Sequence, residues 1–212
     1  MQVKKKILEG FRCIKLKIGA INWDEEIRLI EKIRSRYSKD TITLRVDANC
    51  AFTVEEAKRK IDRLSRLGIH SIEQPIATDN WKELAELCRN TPVPIALDEE
   101  LIGMNEKQAL LDAVKPQYVV VKPTLHGGIS GSLEWVSEAR KRGIGSWLTS
   151  ALESNIGLRN IALLAARCYG PHVLSPQGLG TGQLFTDNIP MDLELRGAKI
   201  WREDVSDNIF RG

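Results

Sequence analysis

Short apolar runs alternate with amphipathic segments along most of this chain. The apolar runs are rich in β-branched residues, which is typical of buried parallel strands. They predict strands at residues 13–18, 41–47, 69–73, 95–98, 118–122 and 145–149, and a weaker strand at 172–175. The segments between them carry apolar residues at helical spacing, and predict helices at 1–10, 23–37, 54–68, 80–88, 105–114, 130–142 and 156–168. This alternation favours an α/β fold, with helices packed outside a parallel sheet.

The start of one helix has a specific signal. Thr53 stands immediately before an amphipathic run, and Glu56 follows three residues later. This spacing predicts a capping box, in which each side chain accepts a hydrogen bond from the other residue's backbone N–H group. Gly68 is expected to end the helix.

The chain is expected to form one domain. Its 212 residues fit a single large domain, and no linker, low-complexity tract or change in composition divides them. Seven strands are predicted, and the first predicted helix has no strand before it. Because a closed barrel of this type has eight strands, we expect residues 1–212 to form an incomplete (β/α) TIM-like barrel without its first strand. The gap would expose two strand edges, which would allow a homo-oligomer.

Composition excludes several classes of function. A net charge of +3 without a basic block gives no indication of nucleic-acid binding. No apolar stretch reaches the ~18 residues of a membrane span, and the first residues do not resemble a signal peptide, so we expect a cytoplasmic protein. The cysteines are far apart and are expected to be reduced thiols: Cys13, Cys50, Cys88 and Cys168. The histidines show no ligand spacing and are expected in surface or loop positions: His70, His126 and His172.

Four charged residues end successive strands at nearly equal intervals. Asp47, Glu73, Asp98 and Lys122 are 26, 25 and 24 residues apart. One strand, one helix and two loops occupy about that length, so these residues are expected on one rim of the barrel. Three carboxylates on one rim suit a hard cation such as Mg²⁺, with Mn²⁺ as an alternative. Taken singly, each acid could be a helix cap or a loop charge, and Glu99 could replace Asp98 as a ligand.

Two lysines on the first predicted strand are candidates for acid–base chemistry. Lys15 and Lys17 are two residues apart, so their side chains point to the same face. Their mutual repulsion and partial burial favour the neutral amine, which makes a lysine a usable general base. Solvated lysines on an amphipathic edge strand are the alternative. Lys122 ends a buried strand and needs a carboxylate or a substrate beside it, or else it is a salt-bridged rim residue.

Two late loops are candidates for substrate binding. Residues 150–157 (SALESNIG) follow the sixth predicted strand, and residues 175–185 (SPQGLGTGQLF) follow the seventh. Gly178, Gly180 and Gly182 would let the backbone approach a ligand closely, although an ordinary flexible connection fits equally well. The loop lacks the G-x-G-x-x-G pattern of a dinucleotide site.

The ordered motifs KLK, VDAN, IEQP, LDEE and VVKPTLHGG resemble the barrel domain of the enolase superfamily, in its muconate-lactonizing subgroup. Within that subgroup, the loops SALESNIGL and SPQGLGTGQLF are most similar to those of the o-succinylbenzoate synthases of menaquinone biosynthesis. The resemblance covers essentially the whole chain. Members of the superfamily carry an N-terminal capping domain that closes over the barrel, and we expect residues 1–212 to lack this domain as well as the first barrel strand.

The resemblance implies a Mg²⁺-dependent carbon–oxygen lyase with a small-molecule carboxylate substrate. It would dehydrate a succinyl-hydroxycyclohexadiene carboxylate to o-succinylbenzoate through an enediolate intermediate. Lys17 would abstract the proton α to the carboxylate, Lys15 would polarise that carboxylate, and Lys122 would stabilise the intermediate. The implied Mg²⁺ ligands are Asp47, Glu73 and Asp98. The residues implied in substrate binding are Ser150, Gly178, Gly180 and Asn49, with Ser150 and the glycine loop at the succinyl end.

Three alternatives remain open at this point. A dipeptide epimerase or a muconate cycloisomerase of the same superfamily would use the same lysines and metal. An epimerase would need an acidic residue in the last loop to hold a substrate ammonium, and that loop contains none before Asp187. The third alternative is a non-catalytic truncated barrel that binds a metal or a partner chain.

Overall fold

The computed structural model describes residues 2–170, 175–180, 185–190 and 192–202. The chain divides into two compact units, one formed by Arg12–Trp147 and the other by Met1–Phe11 together with Leu148–Gly212. The helices are α1 (Gln2–Leu8), α2 (Trp23–Arg34), α3 (Val54–Ser65), α4 (Trp81–Asn90), α5 (Lys107–Val114), α6 (Gly128–Lys141) and α7 (Asn155–Tyr169). A single domain over residues 1–212 stays a prediction.

Six strands form one sheet in chain order. They are β1 (Cys13–Lys17), β2 (Thr43–Asp47), β3 (Ser71–Glu73), β4 (Ile95–Leu97), β5 (Tyr118–Val121) and β6 (Gly145–Leu148). The pairs from β1 to β5 are parallel. Parallel strands that follow the chain order form the wall of a (β/α) barrel. The six stronger strand predictions are therefore confirmed, with ends that differ by up to two residues.

Strand β2 illustrates why both faces of this sheet are buried. Leu44 and Val46 are fully buried on one face, and Arg45 and Asp47 are buried on the other. The Arg45 guanidinium stacks on the indole of Trp147, 3.8 Å from the ring centroid. This cation–π contact stabilises the buried Arg45 guanidinium, two residues before Asp47. A strand buried on both faces is what a barrel wall requires.

The amphipathic segments fold as predicted. Helix α2 buries Ile27, Ile30 and Ile33, which lie on one face because of their spacing. At the start of α3 the Thr53 hydroxyl accepts a hydrogen bond from the Glu56 N–H group at 3.3 Å, and the Glu56 carboxylate accepts one from the Thr53 N–H group at 3.0 Å. The predicted capping box is confirmed, although the helix ends at Ser65, before Gly68.

The second unit contains α1, α7 and an antiparallel hairpin of β7 (Leu193–Arg196) and β8 (Lys199–Arg202). The sequence did not predict this hairpin because its strands are short, largely exposed and rich in charged residues. The Arg159 guanidinium pairs with both carboxylate oxygens of Asp192, just before β7. Residues 172–174 of the weaker strand prediction lie outside the described residues. Among the described residues, no helix combines the length and apolar character needed to cross a bilayer.

Removal of the α3 cap should measurably destabilise the chain. Thr53→Ala leaves the N–H group of Glu56 without its side-chain acceptor, so we expect the free energy of unfolding to fall by about 1 kcal/mol. Thr53→Ser keeps the hydroxyl and should cost much less. Urea unfolding followed by circular dichroism measures both variants, and equal stability of Thr53→Ala and the wild type would contradict the prediction.

Candidate functional site

Three buried carboxylates converge at the ends of neighbouring strands. One oxygen from each of Asp47, Glu73 and Asp98 lies within 4.8 Å of the others, and all three residues have no exposed surface. The strand register explains this, because Asp47 pairs with Glu73 and Glu73 pairs with Ala96. Asp98 follows Ala96 by two residues, which returns its side chain to the same face. The equal spacing in the sequence therefore corresponds to one cluster.

The cluster is chemically suited to a divalent cation. Glu73 Oε1 and Asp98 Oδ1 are buried and accept no hydrogen bond from the described part of the chain. A buried carboxylate oxygen without a partner carries a large desolvation cost. Oxygen ligands from three carboxylates are the type that hard divalent cations prefer. These residues could therefore hold a metal ion.

Three lysines surround the carboxylates. The Lys15 ammonium donates to Asp47 Oδ2 at 3.0 Å and to Glu73 Oε2 at 2.9 Å. Lys17 donates to Asp47 Oδ2 at 2.6 Å, which places Lys15 and Lys17 on one face as their spacing predicts. Lys122, directly after β5, donates to Asp98 Oδ2 at 2.6 Å. Each buried carboxylate therefore has at least one cation within hydrogen-bonding distance.

Burial and charge act in opposite directions on the pKa values of the carboxylates. Burial raises the pKa of Glu73 to about 7, although Lys15 pulls it down. Burial also raises the pKa of Asp98 against the effect of Lys122. For Asp47, burial acts upward, but Lys15 and Lys17 outweigh it and lower the pKa. Glu73 and Asp98 are thus the members whose negative charge is least compensated, and a bound cation would stabilise both.

The lysines differ in their access to solvent. The Lys17 side chain is 59% exposed, the Lys15 side chain 36% and the Lys122 side chain 16%. Lys17 therefore has the most solvent-exposed side chain of the three. Lys17 and Lys122 lie at the ends of β1 and β5, so a molecule held at the carboxylates can meet amines from two different strands.

Asn49 and Glu99 extend this network. The Asn49 side-chain oxygen accepts a hydrogen bond from Lys17 at 2.5 Å, and its amide nitrogen donates to Glu99 Oε1 at 2.8 Å. The metal-type cluster contains Asp98 and not Glu99. A role of Asn49 in substrate binding stays a prediction.

The sequence that carries this cluster has counterparts among known proteins. Residues 1–191 match the family model described as enolase C-terminal domain-like. The chain belongs to the enolase C-terminal domain-like family. This match confirms the family and the incomplete barrel that the sequence predicted.

Relatives of this enolase-type chain include an o-succinylbenzoate synthase of Desulfotalea psychrophila, 51% identical over 92% of this chain and 53% of that protein. The crystal structure of MenC from Desulfotalea psychrophila LSv54 has a TM-score of 0.87 and 48% identity, covering 94% of this chain and 55% of that one. An N-succinylamino acid racemase of Thermus thermophilus is 34% identical over 96% of this chain and 48% of that protein. The chain thus spans about half the length of these relatives.

Two residues of this enolase-type site were missed by the sequence analysis. Gln74 follows Glu73 and is fully buried, and its side-chain oxygen accepts hydrogen bonds from the N–H groups of Asp98 at 3.1 Å and Glu100 at 3.3 Å. The Glu100 carboxylate is also buried and accepts from the Trp81 indole at 2.8 Å. Gln74 therefore ties the end of β3 to the end of β4. The signal in the sequence that could have indicated Gln74 is the position of a glutamine between the end of a strand and Pro75.

His126 lies in a loop, as expected, but it is only 4% exposed. Its Nδ1 accepts a hydrogen bond from the Lys122 N–H group at 3.0 Å, which fixes the backbone next to the Lys122 side chain. Burial, with smaller effects of Lys122 and Lys107, lowers the pKa of His126 to about 4. The imidazole is therefore neutral at physiological pH.

The remaining predicted residues belong to the second unit. The Ser150 hydroxyl accepts a hydrogen bond from the Leu152 N–H group at 3.1 Å. Gly178 forms a β-bridge with Thr149, and a side chain at Gly178 would lie 2.2 Å from the Thr149 hydroxyl, so packing alone requires glycine there. Among the described residues, no atom would lie within 4 Å of a side chain added at Gly180, and Gly182 lies outside the described residues. Binding of a substrate by this loop stays a prediction.

Loss of one carboxylate charge should weaken metal binding. Asp98→Asn keeps the shape of the side chain but removes a charged oxygen ligand, so we expect the affinity for Mg²⁺ or Mn²⁺ to fall more than about tenfold. Titration calorimetry on metal-stripped protein measures this. Glu86→Gln removes an exposed carboxylate that pairs with Lys58 and should leave the affinity unchanged. Equal affinities of Asp98→Asn and the wild type would show that Asp98 is not a ligand.

Acid should destabilise the chain partly through His126. Its pKa rises from about 4 in the folded chain to 6.5 on unfolding, so the unfolded state binds more protons between these values and stability falls as the pH falls. From pH 7 to pH 5 this group alone should remove on the order of 2 kcal/mol. His126→Asn keeps an acceptor without titrating, so urea unfolding should show a shallower pH dependence for this variant. Parallel profiles of the two proteins would contradict the prediction.

Proposed function

We propose that this chain carries the active-site residues of a Mg²⁺-dependent lyase that dehydrates a succinyl-hydroxycyclohexadiene carboxylate to o-succinylbenzoate. The supporting observation is the buried trio of carboxylates with Lys17 and Lys122 at the ends of two different strands. The 51% identity with an o-succinylbenzoate synthase agrees with this reaction. A cytoplasmic location and a small-molecule substrate fit the same proposal.

Asp47, Glu73 and Asp98 would hold Mg²⁺ through their carboxylate oxygens. When bound, Mg²⁺ supplies positive charge that stabilises the negative charge developing on the substrate carboxylate. Lys15 contacts two of these carboxylates and would add its own charge beside the same substrate group.

Lys17 would act as the base. In its neutral form, the amine accepts the proton from the carbon next to the substrate carboxylate, and the C–H electron pair forms an enediolate. The carbon–oxygen bond to the ring hydroxyl then breaks, the hydroxyl takes the proton back from the Lys17 ammonium and leaves as water, and the ring becomes aromatic. The Lys122 ammonium would stabilise the negative charge of the intermediate by electrostatic attraction.

We assign the succinyl end to Ser150 and to the loop that contains Gly178 and Gly180. Residues 175–180 contain no acidic side chain that could bind a substrate ammonium, which argues against a dipeptide epimerase.

A second candidate function is the racemisation of an N-succinylamino acid. The 34% identity with an N-succinylamino acid racemase favours it, as does the placement of Lys17 and Lys122 on different strands. One amine would remove a proton and the other would return one from the opposite side of the same carbon.

The deciding experiment measures both reactions with Mg²⁺ present. Absorbance follows formation of the aromatic product, and chiral chromatography follows racemisation of an N-succinylamino acid. Because the chain spans about half of its relatives, both assays are also run on a chimaera in which it replaces the matching segment of the Desulfotalea psychrophila protein. Dehydration in either form supports the lyase, racemisation alone supports the second candidate, and no turnover in a Mg²⁺-loaded chimaera contradicts both.

Replacement of the proposed base should separate catalysis from metal binding. Lys17→Ala removes the proton acceptor and should lower kcat for dehydration by at least about a hundredfold. The Mg²⁺ affinity should change little, because the three carboxylates remain. Lys58→Ala removes an exposed lysine of α3 that pairs with Glu86 and serves as the matched control. Wild-type turnover by Lys17→Ala would exclude Lys17 as the base.

A further inference from the structure

Lys17 needs a partner that holds its amine in place. Its side chain is 59% exposed, and a solvated lysine samples many rotamers. Its ammonium donates to Asp47 Oδ2 at 2.6 Å and to Asn49 Oδ1 at 2.5 Å. Asp47 Oδ2 is shared with Lys15, and Asp47 is also a proposed metal ligand. The neutral oxygen of Asn49 is therefore the acceptor that Lys17 does not share with the proposed metal centre.

The orientation of the Asn49 amide is set from its other side. Its nitrogen donates to Glu99 Oε1 at 2.8 Å, so its oxygen must face Lys17. A reversed amide would place an N–H group against the ammonium and an oxygen against the carboxylate, and both contacts would be repulsive. Glu99 Oε2 is buried and has no hydrogen-bond partner among the described residues, and the Asn49 amide donates to the other oxygen of this carboxylate.

The backbone of Asn49 is also fixed relative to the metal-type cluster. Its N–H group donates to Asp47 Oδ1 at 3.0 Å, and its φ of +41° is a conformation that asparagine tolerates better than most residues. This turn holds the Asn49 side chain above Asp47 and next to Lys17. Lys17, Asp47 and Asn49 are thus each hydrogen-bonded to the other two.

We propose that Asn49 is a positioning residue for Lys17, and that Glu99 sets the orientation of Asn49. This inference rests on the proposed role of Lys17 as the base. A carboxylate at position 49 would hold the lysine equally well, but it would face Glu99 and repel it. An amide links Lys17 to Glu99 and satisfies both groups.

The first test uses the metal-free chain and requires no activity. The ¹⁵N relaxation of the Lys17 ammonium, assigned by comparison with Lys17→Arg, reports how firmly the amine is held. We expect Asn49→Ala to lower the order of Lys17 markedly and to leave Lys58, which pairs with Glu86, unchanged. An unchanged Lys17 signal in Asn49→Ala would overturn the proposal.

The second test exchanges the two partners. In the double variant Asn49→Asp with Glu99→Gln, the new carboxylate at position 49 can accept hydrogen bonds both from Lys17 and from the new amide at position 99. Asn49→Asp alone should lose turnover because two carboxylates face each other, and the double variant should recover part of it. Failure to recover, although Lys17 regains its order, would overturn the proposal.

The kinetic constants separate positioning from other roles. Asn49→Ala should lower kcat about tenfold to a hundredfold, with KM and the Mg²⁺ dissociation constant changed by less than about threefold. Glu99→Ala should show the same pattern to a smaller extent. A rise in KM at constant kcat would instead make Asn49 a substrate ligand. A parallel loss of Mg²⁺ affinity would make Asn49 part of the metal centre. Either result would overturn the inference. No turnover in the Mg²⁺-loaded chimaera would contradict the proposed function, whereas the relaxation measurement would still test the positioning of Lys17.

Discussion

The close approach of three buried carboxylates is the constraint on which the rest of the site depends. Like charges separated by less than 4.8 Å repel strongly in a protein interior, and burial adds a desolvation cost for each. Lys15, Lys17 and Lys122 offset this cost in the chain without a metal. The lysines that the proposed reaction uses are therefore also the counter-ions that make the cluster stable, so catalysis and stability share the same ion pairs.

The turns after β2 and β3 add backbone strain beside the carboxylate cluster. Asn49, Cys50 and Gln74 follow Asp47 and Glu73 closely, and all three have positive φ angles although none is glycine. Such conformations are unfavourable by themselves and persist where surrounding contacts compensate for them. At Asn49 and Gln74 the compensation is visible, because each side chain accepts a hydrogen bond beside a carboxylate of the cluster. The strained backbone thus directs polar side chains that a regular strand end would not place there.

The positions of the carboxylates could be predicted from the sequence because they follow from period alone. A repeat of one strand, one helix and their loops that is nearly constant in total length returns the chain to the same rim, and side chains two residues apart share a face. The contacts of Asn49 with Glu99 and of Gln74 with Asp98 could not be predicted in this way. They depend on positive φ angles and on the two-residue step between Ala96, which pairs with Glu73, and Asp98. The β7–β8 hairpin escaped prediction for a different reason, since its exposed strands lack a buried apolar run.

The distribution of the proposed roles along the chain suggests how related proteins come to differ in their reactions. The carboxylates and lysines of the cluster all lie within Arg12–Trp147, on or directly after strands whose positions are fixed by parallel pairing. The residues assigned to the succinyl end lie after Leu148 and outside the six paired strands, although Gly178 is held by a β-bridge to Thr149. A change of substrate then requires changes in the loops, whereas proton abstraction next to a carboxylate needs the strand ends unaltered. A synthase and a racemase can therefore both be similar to this chain, and activity measurements must separate them.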